Sequence, residues 1–314
     1  METWKKAALK YKSKGLKLGE IVEIIEEEFG LENMYGRVSQ YLHREKKKKK
    51  PKLEKRVSIQ NQEPEHYEGK WDGTETLRFA VMGDTQIGSK YTQLTHLHNF
   101  YDICEKEGIK DVYHTGDLTD GLKMRVGHEY ELYEVSADEM RDDVVKNYPK
   151  RDGITTHFIT GNRDASIYKQ VGYDIGQAIA MLRPDMEYLG RDCAVVNLTP
   201  NCTLELRHPW DGSAYSLSYR PQKMIESMDD DSKPTILAIG HYHKQGDFLF
   251  RGVHAMLTAS FQSQTPFLRG KSIASIIGGY IVTIKVDKDG FIRGFQPEFI
   301  HYKKPIKDDY KNFK

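Results

Sequence analysis

The sequence predicts an α/β fold for most of the chain, preceded by a small all-α domain. From Leu77 onward, short β-rich runs alternate with helical patterns. Several of those runs stop at a glycine that is followed by Asp, Asn or His, and residues 1–44 instead carry apolar side chains three and four positions apart. At 314 residues, with 38% hydrophobic and 30% charged side chains, the chain can bury a large core and is too apolar for wholesale disorder.

The elements follow in order. Trp4, Ala7, Ala8 and Tyr11 predict a helix over Glu2 to Ser13, and a turn at Lys14-Gly15 ends it. Ile21, Ile24 and Ile25 share one face of a second helix, Leu18 to Phe29, with glutamates opposite and Gly30 as its stop. Asn33 is expected to cap a third helix to about His43, with Tyr35, Val38 and Leu42 inward and Arg37, Gln40 and Arg44 outward. That arrangement resembles a helix-turn-helix with a polar reading helix. A lysine run, Lys46, Lys47, Lys48, Lys49 and Lys50, follows it and suits phosphate contacts. The expected domains are therefore 1–45, a basic flexible linker at 46–73, and a catalytic domain at 74–314.

Charge supports the division. Residues 1–56 hold 16 Lys+Arg against 9 Asp+Glu, a net of +7, and the rest holds 31 against 37, a net of −6. The near-neutral total is a cancellation, and the basic segment points to nucleic acid, DNA first, as its partner. Three cysteines without C-x-x-C spacing indicate neither a disulfide framework nor a zinc ribbon. The longest mostly apolar run, Ile273 to Ile284, is too short to span a bilayer, and no apolar signal core follows the first lysines. The expectation is a cytoplasmic protein with no membrane partner.

The chemistry lies in five clusters at expected strand ends. Leu77 to Met82 leads into Gly83-Asp84-Thr85-Gln86, and Asp111 to Thr115 into Gly116-Asp117-Leu118-Thr119-Asp120. His157 to Thr160 leads into Gly161-Asn162-Arg163-Asp164, and Thr203 to Arg207 into His208. Thr235 to Ile239 leads into Gly240-His241-Tyr242-His243. Carboxylate, amide oxygen and imidazole together suit two divalent cations, manganese first, then magnesium, iron or zinc.

In this order the motifs D-x-Q, G-D-x-x-D, G-N-R-D, H and G-H-x-H resemble the calcineurin-like metallophosphoesterase superfamily over roughly Leu77 to His301. The resemblance implies a four-layer α-β-β-α sandwich of two mixed sheets flanked by helices, with metals at the carboxyl ends of the strands. Helices are then expected near Thr92 to Glu107, Ala137 to Tyr148, Tyr173 to Leu182 and Tyr219 to Met228. Late strands are expected at Gly252 to Ser260, Ile276 to Val286 and Phe291 to Pro297. The family pattern puts Asp84, Gln86 and His243 on one metal and Asn162, His208 and His241 on the other, with Asp117 bridging.

Two positions depart from that pattern. Gln86 stands where the family has His and supplies a neutral oxygen. Arg163 replaces the usual His of G-N-H-D/E, as in the superfamily's UDP-diacylglucosamine pyrophosphatases, and a guanidinium clamps charge rather than donating protons. Asp164 is read as orienting Arg163, and His128, in the insert Leu122 to Tyr148, as the candidate acid. His66, His96, His98, His254 and His301 are read as structural.

The function these features imply is a dinuclear metal phosphodiesterase acting on nucleic acid, a nuclease or DNA-processing enzyme in which a hydroxide generated on the metals attacks phosphorus in line. The alternatives are a hydrolase of small phosphodiesters or pyrophosphates and a non-catalytic DNA-binding regulator.

Overall fold

The computed structural model describes residues 4–48, 64–212 and 214–314, and contacts divide the chain into two compact units, Met1–Asn61 and Gln62–Lys314. In the first unit, α1 (Trp4–Ser13), α2 (Leu18–Phe29) and α3 (Tyr35–Lys48) enclose Ala7, Ala8, Ile21, Val22, Ile25, Met34 and Val38. Gly30 ends α2 at φ 60°, and Glu26 and Glu28 bind the neighbouring segments through Met34 N–H (2.7 Å) and Tyr11 Oη–H (2.5 Å).

Three expectations for this region change. Tyr35 is 59% exposed and Met34 takes the inward position, because α3 begins at Tyr35. Met34, whose carbonyl accepts from Val38 N–H, directly precedes α3, and Asn33 occupies a left-handed turn at φ 59°. The third helix also runs past His43 to Lys48, so Arg44, Lys46, Lys47 and Lys48 are helical, while Lys49 and Lys50 lie outside the described residues.

The second unit stacks two mixed six-stranded sheets. One has the order β1-β6-β7-β8-β10-β9: β1 (Glu65–Glu68), β6 (Cys193–Thr199), β7 (Cys202–Arg207), β8 (Ile236–Ile239), β9 (Gly246–Phe250) and β10 (Val253–Leu257). The other has the order β12-β11-β2-β3-β4-β5: β2 (Thr76–Met82), β3 (Asp111–His114), β4 (Thr155–Thr160), β5 (Met186–Arg191), β11 (Gly278–Val286) and β12 (Ile292–His301). In this second sheet β2 to β5 are parallel and β11 and β12 antiparallel.

Side-chain alternation builds the layers. Along β2, Phe79 and Val81 enter the core between the sheets with Val196, Leu204, Leu206 and Ala238. Ala80 and Met82 point the other way, into a core shared with α4 (Leu94–Lys106), α5 (Ala137–Asn147) and α7 (Ile175–Leu182). On the far side, α8 (Tyr219–Glu226) covers the first sheet by burying Ile225 against Leu237, Ile239 and Ala255. Helix, sheet, sheet and helix form the four expected layers.

Part of the expected linker is a strand. β1 pairs in parallel with β6, Glu65 opposite Ala194 through Glu68 opposite Asn197. Its polar sequence, Glu65-His66-Tyr67-Glu68, fits an edge position and carries no apolar alternation. The insert 122–148 holds a single-turn 3₁₀ segment at His128–Glu131 and the helix α5. Ser136 and Glu139 start α5 with a reciprocal capping box.

Candidate metal centre

The carboxyl ends of β2, β3, β4, β7 and β8 deliver the five sequence clusters to one place, the position where open parallel sheets bind ligands. The loops there are backbone-strained. Asp84 (φ 52°), Gln86 (47°), Asp117 (54°), His241 (77°) and His243 (52°) are all left-handed, five of the eleven non-glycine residues so described. Such conformations cost roughly 1–3 kcal/mol each and persist where surrounding contacts over-determine them. Glycines clear the remaining space. A Cβ on Gly161 would lie 2.3 Å from Asp117 Oδ1, and one on Gly116, itself at φ 96°, 2.7 Å from His208 Nδ1.

The donors converge with their other atoms already engaged. His208 Nδ1 is bonded to the Thr115 carbonyl (2.8 Å), which leaves Nε2 facing Asn162 Oδ1 (3.1 Å) and Asp117 Oδ2 (3.3 Å). His241 Nε2 is bonded to the Asp211 carbonyl (2.7 Å), leaving Nδ1. Ligand atoms of Asp117, His208 and His241 all lie within 4.8 Å of one another. Asp84 Oδ2 accepts the His241 backbone N–H (2.9 Å), whereas Asp84 Oδ1 is buried without a hydrogen-bond partner, 3.3 Å from His243 Nε2.

The Gln86 carboxamide is oriented by its neighbours. One of its terminal atoms lies 3.0 Å from Asp120 Oδ1 and near both ends of the Gln262 carboxamide, 2.6 Å from Oε1 and 2.7 Å from Nε2; the Asp120 acceptor makes that atom the NH2 group. Its oxygen then faces His243 Nε2 (2.8 Å) and Arg163 Nε (3.2 Å). Gln86 Oε1, His243 Nε2 and Asp84 Oδ1 thus surround a common centre. A buried carboxylate oxygen left unpaired costs several kcal/mol, and a cation among these donors removes that cost. The residues fit two divalent ions, and the second nitrogens of His208 and His241 are held by carbonyls as metal-binding imidazoles require.

Electrostatics agree with this fit. Burial disfavours ionisation of Asp117, yet His208, Arg163 and His241 hold its carboxyl well below the usual range. Burial likewise opposes charge on His208, but Asp117 lifts its pKa to about 9. The pocket therefore demands positive charge at the point where His208 Nε2 and Asp117 meet.

Two expected catalytic residues have other surroundings. Asp164 does not pair with Arg163. It accepts from Leu118 N (3.0 Å), Thr119 N (2.8 Å), Thr119 Oγ1 (2.7 Å) and Gly161 N (2.9 Å), tying the loop after β3 to the loop after β4. Burial and the Asp117 charge push its pKa up to about 6. His128 exposes no surface and lies 3.2 Å from Asp120 Oδ2, so it cannot reach a substrate as an acid. The partner of Arg163 is Asp120, through Nη1, with Nε 3.6 Å from Asp117 Oδ2 and its backbone N–H on Asp117 Oδ1 (2.8 Å). Burial works against the Arg163 charge, but Asp120 and Asp117 raise its pKa and it stays cationic.

Arg37 and Gln40 are exposed on α3, in the other unit. His96, His98 and His254 stack on Tyr302, Phe313 and Phe295 and have no part in the centre. Asp120, Thr115, Asp211 and Gln262 are site residues that the motifs did not assign. Asp120 alone had a signal, as the second carboxylate of G-D-x-x-D.

No family model matches the sequence, and no curated protein matches it. Solved structures similar to this chain include a novel archaeal phosphodiesterase, at 13% identity over 71% of this chain and 100% of the other with a TM-score of 0.40. Vps29 of Entamoeba histolytica complexed with zinc matches at 14% identity over 72% and 99%, with a TM-score of 0.36. GAP50, the anchor in the inner membrane complex of Plasmodium, matches at 12% identity over 74% and 87%, with a TM-score of 0.43.

Proposed function

We propose that the protein is a dinuclear metal-dependent phosphodiesterase acting on nucleic acid. Asp84 Oδ1 carries the reading: a buried carboxylate oxygen without a hydrogen-bond partner among the described residues, aimed at the same point as Gln86 and His243. Asp84, Gln86 and His243 would hold one cation, and Asn162, His208 and His241 the other, with Asp117 between them. The mixed oxygen and nitrogen donors favour manganese, with magnesium, iron or zinc as substitutes. Divalent cations so held supply Lewis acidity, neutralising charge on phosphoryl oxygens and making a nucleophile available at neutral pH.

The chain's own groups do the rest. Arg163 remains charged, is anchored by Asp120, and presents its fork to phosphoryl oxygens where charge develops. Asp164 fixes the two loops that carry Asp117 and Asn162. In the first unit, Arg37, Gln40 and Arg44, with Lys46 to Lys50 continuing the basic run, would hold DNA phosphates and raise the local substrate concentration.

One observation favours a second reading. Arg163 is a poor acid and His128 is sealed away, so a substrate with a good leaving group, a small phosphodiester or pyrophosphate, suits the site.

A substrate panel separates them. With Mn²⁺, single-stranded DNA, duplex DNA, a cyclic nucleotide and bis-p-nitrophenyl phosphate are compared, with Asp117→Asn as the blank. Metal-dependent DNA cleavage that Asp117→Asn lowers by about a thousandfold or more is expected. Turnover of small diesters alone would move the assignment to the second reading. DNA binding without any turnover would leave a regulator. Removing residues 1–61 is expected to weaken DNA binding and flatten its salt dependence.

A further inference from the structure

Gln86 has a property that a histidine ligand lacks: its two terminal atoms have opposite hydrogen-bonding character, and half a turn about the last side-chain bond exchanges them. In one orientation an oxygen faces Asp84 Oδ1 and His243 Nε2. In the other an NH2 group faces them and repels a cation. Something must select the first.

We propose that Gln262 is the positioning residue that selects it, and so sets metal affinity at the Asp84–Gln86–His243 site; this rests on the dinuclear reading above. Gln262 is fully buried, on the segment that follows β10. Its own polarity is set by its surroundings, since its Nε2 donates to Ser89 Oγ (2.8 Å) and approaches Asp120 Oδ1 (3.3 Å). Both ends of its carboxamide lie against the Gln86 NH2, Oε1 at 2.6 Å and Nε2 at 2.7 Å; with the Nε2 hydrogens directed to Ser89 and Asp120, Oε1 is the end that accepts. Asp120 Oδ1, 3.0 Å from the same NH2, adds a second acceptor. With both acceptors in place, the reversed Gln86 would set its oxygen against two oxygens in a buried site.

The same residue reaches the other ligand through its backbone. The Gln262 carbonyl accepts from Ser275 Oγ–H (2.5 Å), which leaves the Ser275 oxygen free to accept from His243 Nδ1 at 3.4 Å. A proton on Nδ1 would satisfy that contact and leave the lone pair of Nε2 for a cation at the centre. Gln262 N–H is itself held by Ser260 Oγ (2.8 Å). One residue thus orients two of the three donors of this site and touches none of the donors assigned to the other.

Calorimetric titration of the full chain with Mn²⁺, alongside the Mn²⁺ paramagnetic resonance spectrum, tests the assignment. Gln262→Met keeps length and approximate volume while removing the acceptor. The wild type is expected to take up two ions. Gln262→Met should weaken one of them about ten- to hundredfold, the usual effect of losing an outer-sphere contact, and leave the other unchanged. The resonance spectrum should change from that of a coupled pair to that of a single ion. Gln86→His needs no amide orientation, so in that background Gln262→Met should be silent. Ser89→Ala, which loosens Gln262 without touching Gln86, should give a smaller loss at the same ion.

Wild-type affinity for both ions in Gln262→Met would overturn the proposal, as would an equal loss with and without Gln86→His, since that would mark a merely structural role. Failure of the wild type to bind Mn²⁺ at all would instead overturn the dinuclear reading beneath it. Melting curves of each variant identify any loss that is only unfolding; for such a variant Ser89→Ala decides, and unchanged affinity there overturns the proposal.

Discussion

Near the amino ends of β3, β4 and β5, His157 stands between Asp111 and Glu187, while at the carboxyl ends of β2, β3, β7 and β8 three histidines stand among Asp84 and Asp117. The residue types are the same and the settings differ in every other respect. His157 has a carboxylate on each nitrogen, at 2.9 and 2.7 Å, and stacks on Tyr113 with ring centroids 5.0 Å apart. Its partners are about half exposed, so water satisfies what they lack. At the other end the carboxylates are buried, one oxygen is unpartnered, and five donor residues hold left-handed backbone. Acid and imidazole in proximity make an ion pair wherever the groups can satisfy one another. Where the groups are buried and an oxygen is left without a hydrogen bond, as at Asp84 Oδ1, they also suit a cation.

The comparison can be broken at either end. Of three changes, the largest effect is expected from Arg163→Ala, which leaves the donors intact but removes the guanidinium bonded to Asp120: kcat for the preferred substrate should fall about 10²- to 10³-fold with Mn²⁺ affinity little changed. Steady-state kinetics beside calorimetry check this, and a change confined to KM would count against the clamp. Next comes Gly161→Ala. Its Cβ would lie 2.3 Å from Asp117 Oδ1 and 2.6 Å from Asp117 N, so the loop must shift and Mn²⁺ affinity should drop about ten- to hundredfold. The smallest effect is expected at the opposite end, where His157→Gln should cost about 0.5–1 kcal/mol of stability, measured by denaturant unfolding, and leave metal uptake and turnover as they were. A loss of metal binding there would erase the distinction between the ends.

Legibility in the sequence followed distance along the chain. The clusters after β2, β3, β4, β7 and β8 could be read because a buried strand, a glycine and a donor follow one another within a few residues. Helix α5 could be read from its own pattern, and its capping box starts it where expected. β1 could not, because an edge strand needs no apolar alternation; its partner β6 lies more than a hundred residues away. α6 (Asp164–Val171) was hidden by the donor cluster, whose last residue, Asp164, is its first. The role of Asp164 was misread for a similar reason. Its neighbour in sequence is Arg163, but its hydrogen bonds run to Leu118 and Thr119.

By itself, the sequence determined the alternation of strands and helices, the separation of a basic helical segment from an acidic remainder, and the set of donors at strand ends, while the layered sandwich was implied only by the resemblance of its motifs. These are properties of short stretches, set by side-chain periodicity and by glycines that let strands stop abruptly. Only the tertiary structure decided which atom of each donor faces the centre. That choice rests on contacts such as Gln86 with Gln262, His208 with Thr115 and His241 with Asp211, made between residues that only folding brings within hydrogen-bonding distance.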